Sequence, residues 1–222
     1  MFHRERSRGM NLKETLRYLG YKGGEADGLT LKLAEDCWRE LEQKTVKRTC
    51  FREFPLSFRE GRIHMGCFET VSTALEKNLR DCRQVVLFAA TLGVWADHLI
   101  RRYNRLQVSK AVVMQAAAAA MLEDYCDQVY EELRKEYENK GLYLRPRFSP
   151  GYGDFSIRCQ PELLAGLEAG KRAGITLTDS LLMMPSKSVT AVIGVSPVRR
   201  ECAVKGCEAC DKTDCLYRRE TQ

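Results

Sequence analysis

The sequence is poor in histidine and has no long apolar run, and these two absences exclude several kinds of function. Its 222 residues contain three histidines, and no grouping of serine or cysteine with histidine and aspartate indicates nucleophilic catalysis. No stretch approaches the roughly 18 apolar residues that a membrane-spanning helix requires. The first residues also lack the apolar run of a secretory signal. We therefore expect a cytoplasmic protein with no membrane span.

Charge is present in both signs and is spread along the chain. Lysine and arginine total 36 and aspartate and glutamate total 30, which gives a formal net charge of +6. Domains that bind nucleic acid concentrate basic residues on one face, together with aromatic residues that stack on bases. The scattered pattern predicts no nucleic-acid partner. A modestly basic surface instead suits docking to an acidic protein.

Helical and strand patterns alternate along the chain. The composition, with 44% hydrophobic and 30% charged residues, is typical of a globular domain with a sizeable core. Continuous apolar runs at 85–90 and 189–195 predict buried strands, and a turn at Glu60-Gly61 predicts a short hairpin within 45–65. Apolar residues at helical spacing predict helices that include 31–41, 70–82, 110–140 and 161–174. The fold class is therefore α+β, with helices flanking a mainly antiparallel sheet.

The organisation along the chain predicts three parts with only a weak first boundary. Residues 1–82 form an N-terminal helix and hairpin part of the same fold. Residues 83–198 form a ligand-binding region, and residues 199–222 form a cysteine-rich tail.

One short stretch, RFSPGYGD from Arg147 to Asp154, is the strongest candidate for a ligand site. Arg147 offers a rigid fork of donors that fits a carboxylate. Pro150-Gly151 and Gly153 let the backbone turn and approach a ligand closely, and Tyr152 offers a ring for stacking. This combination suits a small zwitterion that carries a flat ring. The alternative is an ordinary surface turn after a helix.

A second segment, LTDSLLMMPSKSV from Leu177 to Val189, follows about thirty residues later. The two segments in this order resemble the activation domain of cobalamin-dependent methionine synthase. That family binds S-adenosylmethionine with an Arg-x-x-x-Gly-Tyr motif, which Arg147, Gly151 and Tyr152 match with its spacing intact. The resemblance extends over roughly residues 84–195 and implies a twisted antiparallel sheet flanked by helices.

The resemblance implies a role for each of the matching residues. Arg147 would hold the carboxylate of S-adenosylmethionine. The backbone from Pro150 to Gly153 would run along the ligand and meet the adenine, with Tyr152 against it. In the second segment, Met184 and Lys187 would line the same site. Lys187 would meet the ligand or an acidic partner, and a solvated lysine is the alternative.

Two further positions are Asp154, whose charge suggests a role, and Ile193, where the chain departs from the family pattern. The charge of Asp154 suggests that it pairs with the ligand's ammonium or faces its sulfonium, and the alternative is an aspartate that caps a turn. Other members of the family place a tyrosine in the last strand, where this chain has Ile193. A carboxylate that contacts the ligand near the start of the family domain has no evident equivalent here.

The expected function follows from the resemblance. The sequence has no Asp-x-His-x-x-Gly motif for holding cobalamin, so we expect the chain to act in trans on cobalamin carried by a methionine synthase or a related corrinoid protein. As a stand-alone activation subunit it would bind S-adenosylmethionine and support reductive methylation of inactive cob(II)alamin. Flavodoxin or ferredoxin would supply the electron.

The tail contains a run of cysteines whose spacing suggests a metal site. Thiolates from a short loop hold zinc or an iron–sulfur cluster. The alternative is a reduced tail with one redox-active Cys-x-x-Cys pair. The four candidate ligands are Cys202, Cys207, Cys210 and Cys215.

Two other functions therefore stay open at this point. One is a redox adaptor with a metal or cluster and a vestigial S-adenosylmethionine site. The other is a sensor that binds the ligand and docks without chemistry.

Overall fold

The computed structural model describes residues 11–21 and 26–199 as helices around antiparallel sheets. The helices are α1 (Leu12–Tyr18), α2 (Gly28–Lys44), α3 (Thr73–Asn78), α4 (Val94–Leu106), α5 (Val108–Asn139), α6 (Gln160–Leu167) and α7 (Ala169–Arg172). The strands are β1 (Arg48–Pro55), β2 (Ser57–Arg59), β3 (Arg62–His64), β4 (Glu69–Thr70), β5 (Gln84–Thr91), β6 (Tyr143–Leu144), β7 (Thr176–Leu177), β8 (Met183–Met184) and β9 (Ser188–Ser196).

A four-stranded sheet in the order β1-β5-β9-β6 organises the fold. β5 and β9 are antiparallel and pair over eight residues, from Gln84 opposite Val195 to Thr91 opposite Ser188. Residues 85–90 of β5 form an uninterrupted apolar run, as expected for a strand in a sheet that is covered on both faces. Its alternate side chains serve two separate cores: Phe88 packs under the long helices and Leu87 packs on the opposite side.

The helices α1, α2, α4 and α5 cover one face of this sheet. The alanine run of α5, Ala116–Ala120, has its small side chains largely buried, which lets neighbouring helices approach closely. A polar contact ties three of these helices together, since the Tyr103 hydroxyl donates to Glu40 and accepts from the Lys110 ammonium at 3.0 Å. The helices α3, α6 and α7 pack on the other face with the two smaller sheets, β2-β3-β4 and β7-β8.

The structure confirms the α+β class and the two central strands, and it corrects three details. The helix expected over 70–82 is limited to α3, because β4 occupies the residues before Ser72, its N-cap. The helix expected over 161–174 is two helices, since Glu168 adopts a left-handed conformation between them. The hairpin at Glu60-Gly61 joins β2 to β3, whereas β1 pairs with β5.

The pairing of β1 with β5 crosses the weak boundary placed near residue 82, so the chain before and after it shares one sheet. Among the described residues, no helix has the length and apolar character needed to cross a bilayer.

Phe88 provides a direct test of the helical core. We expect Phe88→Ala to lower the free energy of unfolding by about 3–5 kcal/mol, because the ring is fully buried and its loss leaves a cavity. Phe58→Ala, at a side chain 43% exposed on β2, should cost under about 1 kcal/mol. Urea denaturation of both variants measures the difference, and equal losses would contradict this packing.

Candidate functional site

The stretch from Arg147 to Asp154, which we call the arginine turn, begins at the edge of β9. The backbone N–H and carbonyl of Phe148 bond to Val192 at 2.9 and 2.8 Å, so the turn starts in register with the central sheet. Pro150 and Gly151 then redirect the chain. Gly151 has a φ of 96°, a conformation that glycine adopts without strain.

Arg147 lies against α5 and meets two carboxylates there. Its Nη2 atom donates to Asp127 at 2.7 Å and to Glu123 at 3.2 Å. Burial opposes the charge of this guanidinium, but the neighbouring Cys126, Glu123 and Asp127 together outweigh that effect and raise the pKa of Arg147. Both carboxylates bond to Nη2, and neither of them forms a hydrogen bond to Nε or Nη1 in the structure. The fork therefore keeps an edge that neither carboxylate occupies.

The local charge around Arg147 is negative. One guanidinium faces two carboxylates, and the nearby Cys126 adds no charge at neutral pH because burial raises the pKa of its thiol to about 12. The cluster of Arg147, Glu123 and Asp127 thus carries a net charge of −1. We call it the acid–arginine cluster.

Aromatic rings lie on the other side of the turn. The Tyr152 ring, 61% exposed, is 6.4 Å from the Phe148 ring, and Phe148 is 6.3 Å from the buried Phe155. Tyr152 is therefore a surface ring supported by two others.

Asp154 is engaged by the protein itself. Its carboxylate accepts from the Ser72 hydroxyl at 2.5 Å and from the backbone N–H groups of Thr73 and Ala74 at 2.7 and 3.0 Å. Hydrogen bonds from Ser72 and the start of α3 lower the pKa of Asp154 to about 2. The carboxylate expected to face the ligand thus ties the turn to the N-terminus of α3.

Gly153 allows this close approach. Its φ is 53°, and a Cβ atom added there would lie 3.0 Å from the Cβ of Ala74. Glycine therefore satisfies both the backbone conformation and the contact with α3.

The second predicted segment borders a separate groove. Met184 lies on β8, opposite Thr176, and is 38% exposed. The Lys187 carbonyl accepts from the Leu92 N–H at 3.0 Å, which fixes the backbone beside β5. Burial lowers the pKa of Lys187, and the nearby Asp97 opposes that effect.

The groove lies between α1, α4 and α5 and has a volume of about 370 Å³. Among the predicted site residues that the structure describes, Lys187 lines it and those of the arginine turn do not. The groove and the acid–arginine cluster are nevertheless neighbours. Tyr18 lines the groove. Burial raises the pKa of this tyrosine, and the charge of the nearby Glu123 carboxylate raises it further. The lining residues are Tyr18, Leu19, Ile100, Asn104, Ala111, Val112, Gln115, Ala116, Ala119 and Lys187.

Comparison with known proteins identifies the family. The model of the vitamin B12-dependent methionine synthase activation domain matches residues 67–220, more than half of the chain. The chain belongs to that family. A solved structure described as the MetH reactivation domain bound to AdoHcy superposes with a TM-score of 0.65 at 18% sequence identity, covering 86% of this chain and 77% of that one. This likeness supports the fold.

Ile193, the position at which the sequence predicts a departure from the family pattern, is fully buried in the helical core. Sequence reasoning also missed Glu123, Asp127 and Ser72, which are the partners of predicted residues. The spacing of Glu123 and Asp127, four residues apart on a helix, places them on one face and was the available signal.

The predicted metal ligands Cys202, Cys207, Cys210 and Cys215 lie outside the described residues. Within 11–21 and 26–199, no three histidine, cysteine, aspartate or glutamate side chains come together as a metal site. The six cysteines in those ranges are free thiols.

Gly153 gives a test of the turn. We expect Gly153→Ala to lower the free energy of unfolding by roughly 1–2 kcal/mol, because alanine disfavours the left-handed conformation and its methyl group meets α3. Gly28→Ala should be neutral or slightly stabilising, since its Cβ meets nothing within 4 Å. Denaturant titrations of both variants measure the contrast, and a neutral Gly153→Ala would disprove the close approach.

Asp154 predicts a pH dependence of stability. We expect Asp154→Ala to melt below the wild type at pH 7. Because the folded-state pKa of about 2 is lower than the unfolded value of about 3.9, this contribution is complete above the unfolded value and disappears as pH falls through about 2. The melting temperatures of the wild type and of Asp154→Ala should therefore converge as the pH falls from 7 to 2. Asp179→Ala, at an exposed loop aspartate, is the control; a constant difference for Asp154→Ala would contradict its bonds to α3.

Proposed function

We propose that this activation domain binds S-adenosylmethionine at the arginine turn and supports reductive methylation of inactive cob(II)alamin. The cobalamin would be carried by a methionine synthase or a related corrinoid methyltransferase. The acid–arginine cluster is the observation that carries this proposal.

The charge of the cluster complements the methyl donor. S-adenosylmethionine carries one carboxylate, one ammonium and one sulfonium, so its net charge is +1. The cluster of Arg147, Glu123 and Asp127 has the opposite net charge of −1. Opposite charges attract most strongly where water is partly excluded, and the Arg147 side chain is only 18% exposed.

The same cluster suits the amino-acid end of the ligand. The Nε and Nη1 atoms of Arg147 bond to neither Glu123 nor Asp127, and in this proposal they receive the ligand carboxylate. The two acids, already beside Arg147, would then receive the ammonium. This division assigns to Glu123 and Asp127 the role that the sequence suggested for Asp154, which α3 already engages.

The adenosyl part would lie along the rest of the turn. Tyr152 presents an exposed ring on a support of Phe148 and Phe155, and aromatic rings stack on purines. The exposed backbone of Gly151 and Gly153 has no side chain to block a flat ligand. The solved relative described as bound to AdoHcy, the demethylated form of the donor, supports this class of ligand.

The proposed reaction requires this chain to position the methyl donor, and it requires no proton transfer. One electron from flavodoxin or ferredoxin converts the partner's cob(II)alamin to cob(I)alamin, whose cobalt electron pair then takes the methyl group. The carbon–sulfur bond breaks, and neutral S-adenosylhomocysteine remains. Arg147, Glu123 and Asp127 would hold the donor so that its methyl group faces the cobalt.

Action in trans is part of the proposal. In this proposal a separate protein carries the corrinoid, and this domain brings the methyl donor to it. The two alternatives, a redox adaptor and a sensor that only binds the ligand, would not require methyl transfer to the corrinoid.

The affinity for S-adenosylmethionine tests the site. We expect Arg147→Ala to weaken binding roughly 10- to 150-fold, because a charged hydrogen bond contributes about 1.5–3 kcal/mol. Arg147→Lys should bind at an intermediate level, since it keeps the charge and loses the fork. Titration calorimetry measures all three proteins.

The matched control is Arg134→Ala. Arg134 lies on α5 itself, where it bonds to Glu131 and Glu138 and to neither acid of the acid–arginine cluster. Its affinity for S-adenosylmethionine should equal that of the wild type. Equal affinity of Arg147→Ala and wild type would refute the proposed site.

A further inference from the structure

The groove between α1, α4 and α5 has no part in the proposed methyl transfer. Its volume of about 370 Å³ falls within the range of small-molecule sites, which is about 300–1,000 Å³. The arginine turn contributes no residue to its lining. The groove is therefore a second candidate site, separate from the one that would hold the methyl donor.

The groove is long and mostly apolar. The residues of α5 that line it extend from Ala111 to Ala119, and a helix rises about 1.5 Å per residue, so this side of the groove is roughly 12 Å long. The alanines keep it open along the helix, and Leu19, Ile100 and Val112 add larger apolar side chains. An elongated apolar molecule would contact the protein along this whole length.

Lys187 brings a single positive charge to the lining. It reaches the groove from the segment between β8 and β9. The side chain is half-buried, and burial lowers the pKa of Lys187. In the part of the chain that the structure describes, its ammonium forms no ion pair. Partial burial of an unpaired charge is unfavourable, and an anion bound in the groove would relieve it.

Two acids act on residues of the groove, and both bond elsewhere. The charge of Asp97 acts on Lys187, but the Asp97 carboxylate accepts from the Ser186 N–H at 2.8 Å and from the Ser186 hydroxyl. Glu123, whose charge acts on Tyr18, bonds to the guanidinium of the acid–arginine cluster. None of the ten described residues that line the groove is acidic. The lining therefore offers a cation and no anion to neutralise it.

We propose that the groove binds a small monocarboxylic acid with an apolar chain. The carboxylate would pair with Lys187, and the chain would lie along α5 against Ile100 and Val112. A phosphorylated ligand fits poorly, because its two or more negative charges would meet one cation. A free amino acid fits poorly as well, because no lining residue is an acid that could bond to its ammonium. The site needs neither S-adenosylmethionine nor cobalamin, so the inference goes beyond the proposed function.

Octanoate is the probe, and octanamide, which has the same chain without the charge, is the matched ligand control. Titration calorimetry with the full chain measures both. We expect octanoate to bind about tenfold or more tightly than octanamide, because only the acid forms a charged hydrogen bond with Lys187. Shorter acids should bind roughly fourfold more weakly for each CH₂ group removed. Equal affinity for the acid and the amide, or no binding of octanoate, would overturn the proposal.

Two pairs of variants locate the site. Lys187→Met should abolish the preference for the acid over the amide, whereas Lys171→Met, at an exposed lysine of α7, should keep it. Val112→Glu places a negative charge in the lining and should weaken octanoate binding about tenfold. Val108→Glu, one turn earlier on the same helix and outside the lining, should leave the affinity nearly unchanged. Both valines are exposed, so neither change disturbs the core. An equal effect within either pair would contradict this site.

A competition experiment separates the groove from the arginine turn. Octanoate should bind equally well with and without saturating S-adenosylmethionine, and Arg147→Ala should bind octanoate like the wild type. Displacement of octanoate by S-adenosylmethionine would make the groove part of the donor's site and would overturn the proposal. A wild type that binds octanoate but not S-adenosylmethionine would refute the proposed function, while its octanoate binding would still support the groove.

Discussion

The pairing of β9 between two neighbours is the constraint on which the rest of the molecule depends. One edge of β9 is bonded to β5 over eight residues, and its other edge is bonded to β6 and to Phe148. The first pairing buries β9 between two cores. The second starts the arginine turn at a fixed register, so that Arg147 faces α5 while Phe148 faces the opposite core. A shift of one residue would exchange these two side chains.

The parts of the fold that could be predicted are those whose pattern has one interpretation. The apolar run of β5 and the alternation of helix and strand signals indicated a buried sheet with helices. The extent of α3 could not be predicted, because part of its N-terminus is satisfied by Asp154, eighty residues later in the chain. Likewise, Glu168 ends α6 in a left-handed conformation, which glutamate seldom adopts and which its local sequence does not signal.

The candidate site, like the fold, has a part that could be predicted from the sequence and a part that could not. The spacing of Arg147, Gly151 and Tyr152 indicated the turn and the ligand class. Their partners lie on other elements and depend on tertiary contacts, so the sequence around the motif contains no record of Glu123 or Asp127. Charge left two roles open for Asp154, a ligand contact or a turn cap, and in the folded chain its carboxylate holds the turn on α3. A rigid turn and a prearranged acid–arginine cluster together reduce the ordering that a ligand would require.

The central claim is that this activation domain delivers a methyl group from S-adenosylmethionine to cobalamin on another protein. The most direct measurement is transfer of isotopically labelled methyl from S-adenosylmethionine to a cob(II)alamin-loaded methionine synthase that lacks its own activation domain, under titanium(III) citrate. The account predicts labelled methylcobalamin at a rate that increases with the amount of this chain added. Binding of S-adenosylmethionine without any increase in labelled methylcobalamin would contradict it.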